Sequence, residues 1–425
     1  MQLLSSRRWR AAAASAAVLA LVLTGCSSEG TFSYTPPAQV DATLPDATVE
    51  AMQAAVDNAL TASGASGAIV GVWVPWSGSW VAASGTQGRD GGELSTDMSF
   101  RIADVTRLMT CDVLYALADE GTVELDAKVP QYVSGVADMK DVTLLDLCNG
   151  TSGAGSSEAT IKGALLNTPE RIWAPLELAG YGLGRPRQAP ATTFRDSDSG
   201  YLLLGVALER ATGQSASELI AEYVTEPLGL SGTSLPGSTP AAPGDTPLNG
   251  YYMPAVEGGF NCAAPVDIST ISASSGYTDS GVVSNITDLG RYIQAEAQQV
   301  LRTKEKPDRF GAPLPASAKS ASWYQATGGA YLVGSMVGQQ GWVPGYATAA
   351  YSDPATGFTV AVVLNDSTVG AGFAQQLSWE LAAIASKAAP ASGQTVPEFG
   401  LPFTAEQHHE GITKSALACV PPAAE

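Results

Sequence analysis

The chain has 425 residues, 45% of them apolar and 15% charged, a globular composition with room for one large core or two domains. Its formal charge is −19, which argues against nucleic-acid binding, because phosphate contacts need clustered Lys and Arg. Only two histidines occur, His408 and His409, side by side near the C-terminus. A Ser-His-Asp triad in the body of the chain and a His-rich zinc site are both excluded on that count.

Arg7, Arg8 and Arg10 precede an Ala/Val/Leu run over residues 11–25. The run is short of the roughly 20 residues a membrane-spanning helix needs, and reads as a secretory signal. It ends Leu23-Thr24-Gly25-Cys26, which looks like a bacterial lipobox with Cys26 as the lipidated first residue of the mature chain. Two acyl chains on that residue give stable anchoring. The expected location is therefore extracytoplasmic, on the membrane by a lipid anchor. Without the three signal arginines the chain carries 22 − 3 = 19 basic and 41 acidic residues, a charge of −22.

Residues 26–45 are rich in Ser, Thr and Pro without periodicity and read as a flexible tether. A helix is expected from Asp46, read as its N-cap, with Val49, Met52, Val56 and Leu60 on one face. Two β-rich runs, GAIVGVWV and SWVAASG, follow around a PWSG turn. A helix from Asp104 stops near Glu120 at Gly121. Further helices are expected over 200–212, 215–224 and 285–300, with loops at about 235–250 and 306–320. AYLVGSMV, YATAAYSD and FTVAVVLND read as strands, and Phe373, Leu377, Leu381 and Ile384 mark a last helix. The order is that of an α+β protein, with a domain over 46–390 and a tail over 391–425. Besides Cys26 there are four cysteines, Cys111, Cys148, Cys262 and Cys419. In an exported chain they suggest up to two disulfides among three pairings.

The run FRIADVTRLMT (100–110), Glu120-Gly121, Leu125-Asp126, Thr151-Ser152-Gly153, GYLLLGVALERATGQS (200–215), EPLGLSGTS (226–234), Pro344-Gly345-Tyr346 and YSDPATGF…VVLND occur in that order. Together they resemble the penicillin-binding-protein-like serine hydrolases, a family that includes class C β-lactamases and D-alanyl-D-alanine carboxypeptidases. The resemblance implies an antiparallel sheet flanked by helices, a helical lobe, and a cleft between them. It also favours the pairings Cys111–Cys148, on neighbouring helices, and Cys262–Cys419, stapling the tail.

The chemical positions of that family all depart. Its Ser-x-x-Lys is Asp104-Val105-Thr106-Arg107, its Tyr-x-Asn is Asp196-Ser197-Asp198, its basic-x-Gly is Gln339-Gln340-Gly341, and its His before Thr-Ser-Gly is Gly150. Asp104 has no hydroxyl, and Arg107 stays protonated and cannot serve as a base. The nearest Ser/Thr-x-x-Lys pattern, Thr303 to Lys306, sits in a charge-rich loop. No catalytic set is intact, and a pseudoenzyme is the expectation; a working hydrolase and a purely structural envelope protein are its rivals. If the implied cleft forms, Asp104, Arg107, Asp196 and Asp198 face one another, with Gln339 and Trp342 alongside. They form either an ion-pair network filling an abandoned site or a binding site for a cell-wall peptide, an envelope protein or another cationic group. Three carboxylates against one guanidinium leave about −2, which Ca²⁺ or an amine would balance; no other cofactor is implied. Carboxylate acid/base chemistry has no further support in the sequence, and ordinary packing is expected of Trp73, Trp76, Trp80 and Trp342.

Overall fold

The computed structural model describes residues 34–88, 91–302 and 308–420. The signal segment, the lipobox Cys26 and the Thr303–Lys306 pattern lie outside them. Among the described residues no helix is long and apolar enough to cross a membrane.

An eight-stranded antiparallel sheet organises the molecule. Its strands are β1 (Gly67–Val74), β2 (Gly78–Gly85), β3 (Leu314–Pro315), β4 (Tyr324–Thr327), β5 (Ala330–Val333), β6 (Met336–Val343), β7 (Tyr346–Ser352) and β8 (Thr359–Leu364). They lie in the order β2-β1-β8-β7-β6-β5-β4-β3, so the first hairpin closes onto the last strand, with Ala68 opposite Leu364 and Trp73 opposite Thr359. Alternation splits each central strand between two cores. Val70, Val72, Val360, Val362 and Leu364 face one side, Ile69, Ala361 and Val363 the other. Burial on both faces explains why these strands read as continuous apolar runs.

On the first face lie helix α1 (Asp46–Ser63), which buries Met52, Ala55, Val56 and Ala59, and the late helix Ala371–Ala385. Asp46 is the first helical residue rather than the cap, a place held by Pro45; an acid in the first turn still favours the helix dipole. On the second face lie α2 (Thr106–Asp119), the lobe helices, and Ile286–Ala297, capped by Asn285. The lobe includes α3 (Glu158–Asn167) and α4 (Asp198–Thr212). The helix expected over 215–224 is α-helical only to Ile220 and becomes a π-turn over Ala221–Thr225.

Two stretches differ from expectation. The tether expected to run to residue 45 is docked from Tyr34 onward. Tyr34 is 7% exposed and its carbonyl accepts from Arg291 at 2.9 Å. Gln39 donates to Val74 and Gly78 carbonyls, and Leu44 is buried. Two isolated apolar residues and a few polar contacts make this docking, and no periodicity announces them. Likewise, Arg309, in the stretch read as a loop, reaches fully buried Asp112 and Glu296 at 2.5 and 2.6 Å, while Tyr292 donates to Asp112 at 2.7 Å. The loop there also supplies the short edge strand β3.

The disulfides are Cys111–Cys148, joining α2 to the Leu144–Cys148 helix, and Cys262–Cys419. Beyond residue 390, the helix Ala405–Lys414 packs on Ala371–Ala385. His408 is 7% exposed there, its Nδ1 is 2.6 Å from Gln376 Oε1, and its Nε2 is buried without a partner. Burial pushes its pKa down from 6.5 to about 4. The folded state then binds fewer protons than the unfolded state between these values. Stability from this site is full above pH 6.5 and is lost as pH falls toward 4. Protection factors over residues 405–414, corrected for the intrinsic exchange rate, are expected to fall as pH is lowered through that window, and His408→Gln is expected to remove that dependence.

Candidate functional site

The site begins at a tight turn. Phe100–Arg101 pairs with Val283–Ser284, after which Ala103–Val105 forms one 3₁₀ turn leading into α2. Ala103 holds φ at 50°, a left-handed conformation that costs an ordinary residue about 1–2 kcal/mol. The turn thrusts Asp104 against β6. A Cβ on Gly341 would lie 2.4 Å from the Asp104 amide nitrogen, so only glycine permits this approach.

Arg107, in the first turn of α2, is 5% exposed. Its Nε donates to Asp279 at 2.8 Å, its Nη1 to Asp196 at 2.6 Å, and its Nη2 lies 3.2 Å from Asp104. The guanidinium also sits 4.8 Å from the centre of the Tyr201 ring. Asp196 is the wet member, its side chain 54% exposed, with the Tyr331 hydroxyl donating to its other oxygen at 3.4 Å.

Burial raises Asp104 well above the usual carboxylate range, and Asp279, Asp196 and Glu158 add to the rise against the pull of Arg107. Burial likewise raises Asp279 to about 6. For Arg107 burial works to lower the pKa, but the three carboxylates outweigh it and the guanidinium is held charged. Burial thus favours the protonated forms of Asp104 and Asp279, and the Arg107 charge opposes it.

The structure brings Asp104, Arg107, Asp196 and Asp198 to one cleft, with Asp196 rather than Asp198 paired to Arg107. Asp198 does not touch Arg107. It accepts from the Ser157 amide at 2.8 Å, from the Ser157 hydroxyl, and from the Ser199 amide at 2.6 Å, pinning the 155–157 segment to the start of α4. Asp279, from the short helix Tyr277–Ser280, is the third carboxylate on Arg107; it stands in SGYTDSG, where no spacing relates it to the other positions. Gln339 is 3% exposed, donates to the Gly329 carbonyl at 2.7 Å and accepts from the Gln340 amide, so it faces a loop rather than a ligand. Trp342 does stand at the cleft. Its indole donates to Glu158 at 2.9 Å and the Lys162 ammonium lies 4.3 Å from its ring centre, latching α3 across β6.

What remains of the cleft is a pocket of about 50 Å³, lined by Asp104, Arg107, Asp198, Asp279, Ser280 and Trp342 among others. That holds a few waters, whereas small-molecule sites run to about 300–1,000 Å³. Two hydroxyls that sequence reasoning missed line it. Ser275 spends its hydroxyl on the Ser272 carbonyl at 2.8 Å, and among the described residues Ser280 bonds no lysine, histidine or tyrosine. His408 and His409 sit on the C-terminal helix, bonded to Gln376 and Glu380. Among the described residues no three acidic, His or Cys side chains are arranged to hold a metal ion; Arg107 occupies the position a cation such as Ca²⁺ would fill.

Comparison with known proteins agrees with this architecture. The family model described as Beta-lactamase matches residues 52–383. The D-alanyl-D-alanine-carboxypeptidase/endopeptidase AmpH of Escherichia coli K12 is 30% identical over 145 residues, 32% of this chain and 37% of that protein. A probable fimbrial assembly protein, FimD of serogroup H1, from Dichelobacter nodosus is 29% identical over 129 residues, 29% of this chain and 32% of its own. The matches span about a third of the length of these curated relatives. Among solved structures, the D-stereospecific amidohydrolase from Streptomyces sp. shares the fold at a TM-score of 0.67 and 22% identity, over 79% of this chain and 99% of that one. The D-amino acid amidase from Ochrobactrum anthropi SV3, complexed with D-phenylalanine, does so at 0.65 and 20%, over 76% and 92%.

Removing the guanidinium would strand Asp279 and Asp104 in a buried site. Arg107→Met is expected to cost about 3–5 kcal/mol in denaturant unfolding at pH 7, and adding Asp279→Asn to recover much of it. In the parent protein Asp279 binds a proton more tightly folded than unfolded between pH 3.8 and 6. Its contribution to stability therefore declines as pH rises through that window, a slope that Asp279→Asn alone is expected to flatten.

Proposed function

This chain belongs to the Beta-lactamase family, and from that premise we propose that it is a non-catalytic cell-envelope lipoprotein that binds a cell-wall ligand or protein partner at the rim of its closed cleft. The observation that carries the proposal is the Arg107 guanidinium, whose three nitrogens are each engaged by a different carboxylate where an acylating enzyme needs an uncharged base. Acyl transfer requires a nucleophile, a group to accept its proton, and an open oxyanion site. Asp104 offers a carboxyl in place of a hydroxyl, Arg107 has no lone pair to accept a proton, and the remaining space admits water rather than a peptide. Losing the nucleophile or its base alone costs about 10⁴–10⁶ in rate. A family scaffold retained around a filled centre fits a protein that works by its surface.

Intact-mass spectrometry after incubation with a fluorescent penicillin or a fluorophosphonate is expected to show no added mass, and a chromogenic β-lactam to hydrolyse at the buffer rate. Asp104→Ser alone is expected to remain unlabelled, since Arg107 cannot take the serine proton. A stoichiometric acyl adduct on the parent chain would overturn the proposal, and its loss in Ser280→Ala would locate the nucleophile. For the anchor, metabolic labelling with palmitate and detergent-phase partitioning are expected in the parent chain and absent in Cys26→Ser.

A further inference from the structure

Between the Pro175–Leu183 helix and Asp196 the chain runs GRPRQAPATTFR, with Arg185, Arg187 and Arg195 and no acidic residue. In a chain of net charge −19 this is a local reversal of sign. The fold gathers the three side chains along the four residues Ser152–Gly155 at the edge of the cleft. Arg187 Nε donates to the Ser152 carbonyl at 3.2 Å, and Arg195 Nη1 donates to the Gly153 and Pro186 carbonyls at 2.9 and 2.8 Å. The Arg185 stem lies against Gly155, where an added Cβ would come within 2.7 Å of it. Arg187 Nη1 also reaches the Asp138 carbonyl.

Every one of these acceptors is a neutral carbonyl. Among the described residues none of the three arginines forms an ion pair, whereas Arg107, Arg171 and Arg309 all do. Carbonyl oxygens satisfy N–H groups but do not neutralise the charge, so three like charges are held together uncompensated. Of the nearby carboxylates, Asp196 is committed to Arg107, and Asp138, whose carbonyl accepts from Arg187, forms no ion pair with the three arginines. In addition, Arg187 Nη2 is buried with no hydrogen-bond partner, so this guanidinium is not fully satisfied by the carbonyls around it. Arg185 is exposed and makes no side-chain hydrogen bond among the described residues, so its fork of donors is free. Guanidinium groups pair with carboxylate and phosphate oxygens through two parallel bonds.

We propose that this arginine loop is an oxyanion site which takes the phosphate or carboxylate groups of a polyanionic envelope polymer. It gives the rim described above a ligand class and so rests on the binding reading. Its test is reversible binding, whereas covalent labelling tests the catalytic one, so the two can fail separately.

The mature chain, in detergent micelles and low salt, is titrated calorimetrically with inorganic polyphosphate and with poly-D-glutamate. At least one polymer is expected to bind. Arg185→Glu is expected to weaken it at least tenfold with little change in thermal midpoint, since that side chain makes no hydrogen bond or ion pair among the described residues and glutamate keeps the part of the stem that lies against Gly155. Lys319→Glu, an equal charge change on an exposed loop, is expected to stay within twofold. Binding of polyphosphate alone assigns phosphate, and binding of poly-D-glutamate alone assigns carboxylate. Binding of neither, or equal weakening by both substitutions, overturns the proposal.

Discussion

A buried guanidinium must be matched by acceptors, and the centre of this protein is built around that demand. Arg107 cannot shed its proton to escape the cost of burial, as a lysine could. Its charge is therefore met in place, by one carboxylate from each of three separate segments: the 3₁₀ turn, the strip before α4, and the short Tyr277–Ser280 helix. The same contacts that satisfy the charge draw those segments together over the space where a substrate would lie. The filled cleft and the folded lobe are consequences of one network.

The surroundings support it at close range. Gly341 lets β6 pass against the Asp104 turn, and Ala103 accepts a strained φ to make that turn. The Cys111–Cys148 bridge ties α2 to the next helix one turn beyond Arg107, and the Arg309–Asp112–Glu296 cluster fixes the same helix from its other side. Two ionic clusters on a single buried helix are costly to form and more costly to break singly, because each removal leaves a charge in a dry interior. The latch from Trp342 to Glu158, with Lys162 on the indole face, closes the outer edge.

Much of this was legible in the sequence. The strands around residues 67–85 and 330–364 announce themselves by β-branched runs between turns, and the helix after Asp104 by its apolar content and its terminal glycine at 121. The meeting of Asp104, Arg107 and Asp196 followed from the order of family-like segments, since those segments fix which positions share the cleft. Asp279 was not legible. It reaches Arg107 from 172 residues away, and its local sequence resembles any polar turn. Asp198 lines the cleft as expected but does not pair with Arg107: at a helix start its oxygens find nearer backbone amides, which compete with a distant guanidinium. Gln339 shows the limit of motif position alone, because the strand residue is conformed as expected while its amide turns to the neighbouring loop. The docking of Tyr34 and the reach of Arg309 depend on single side chains, which leave no periodic trace.

The most direct test is the state of the Arg107 guanidinium in solution. With the chain labelled uniformly with ¹⁵N, its side-chain N–H groups can be followed by NMR. The account predicts an Nε–H and resolved Nη–H signals that exchange slowly with water, with protection lost in Asp279→Asn. Nη protons that average rapidly and exchange like those of a surface arginine would show an open, mobile side chain in an accessible cleft, and would contradict it.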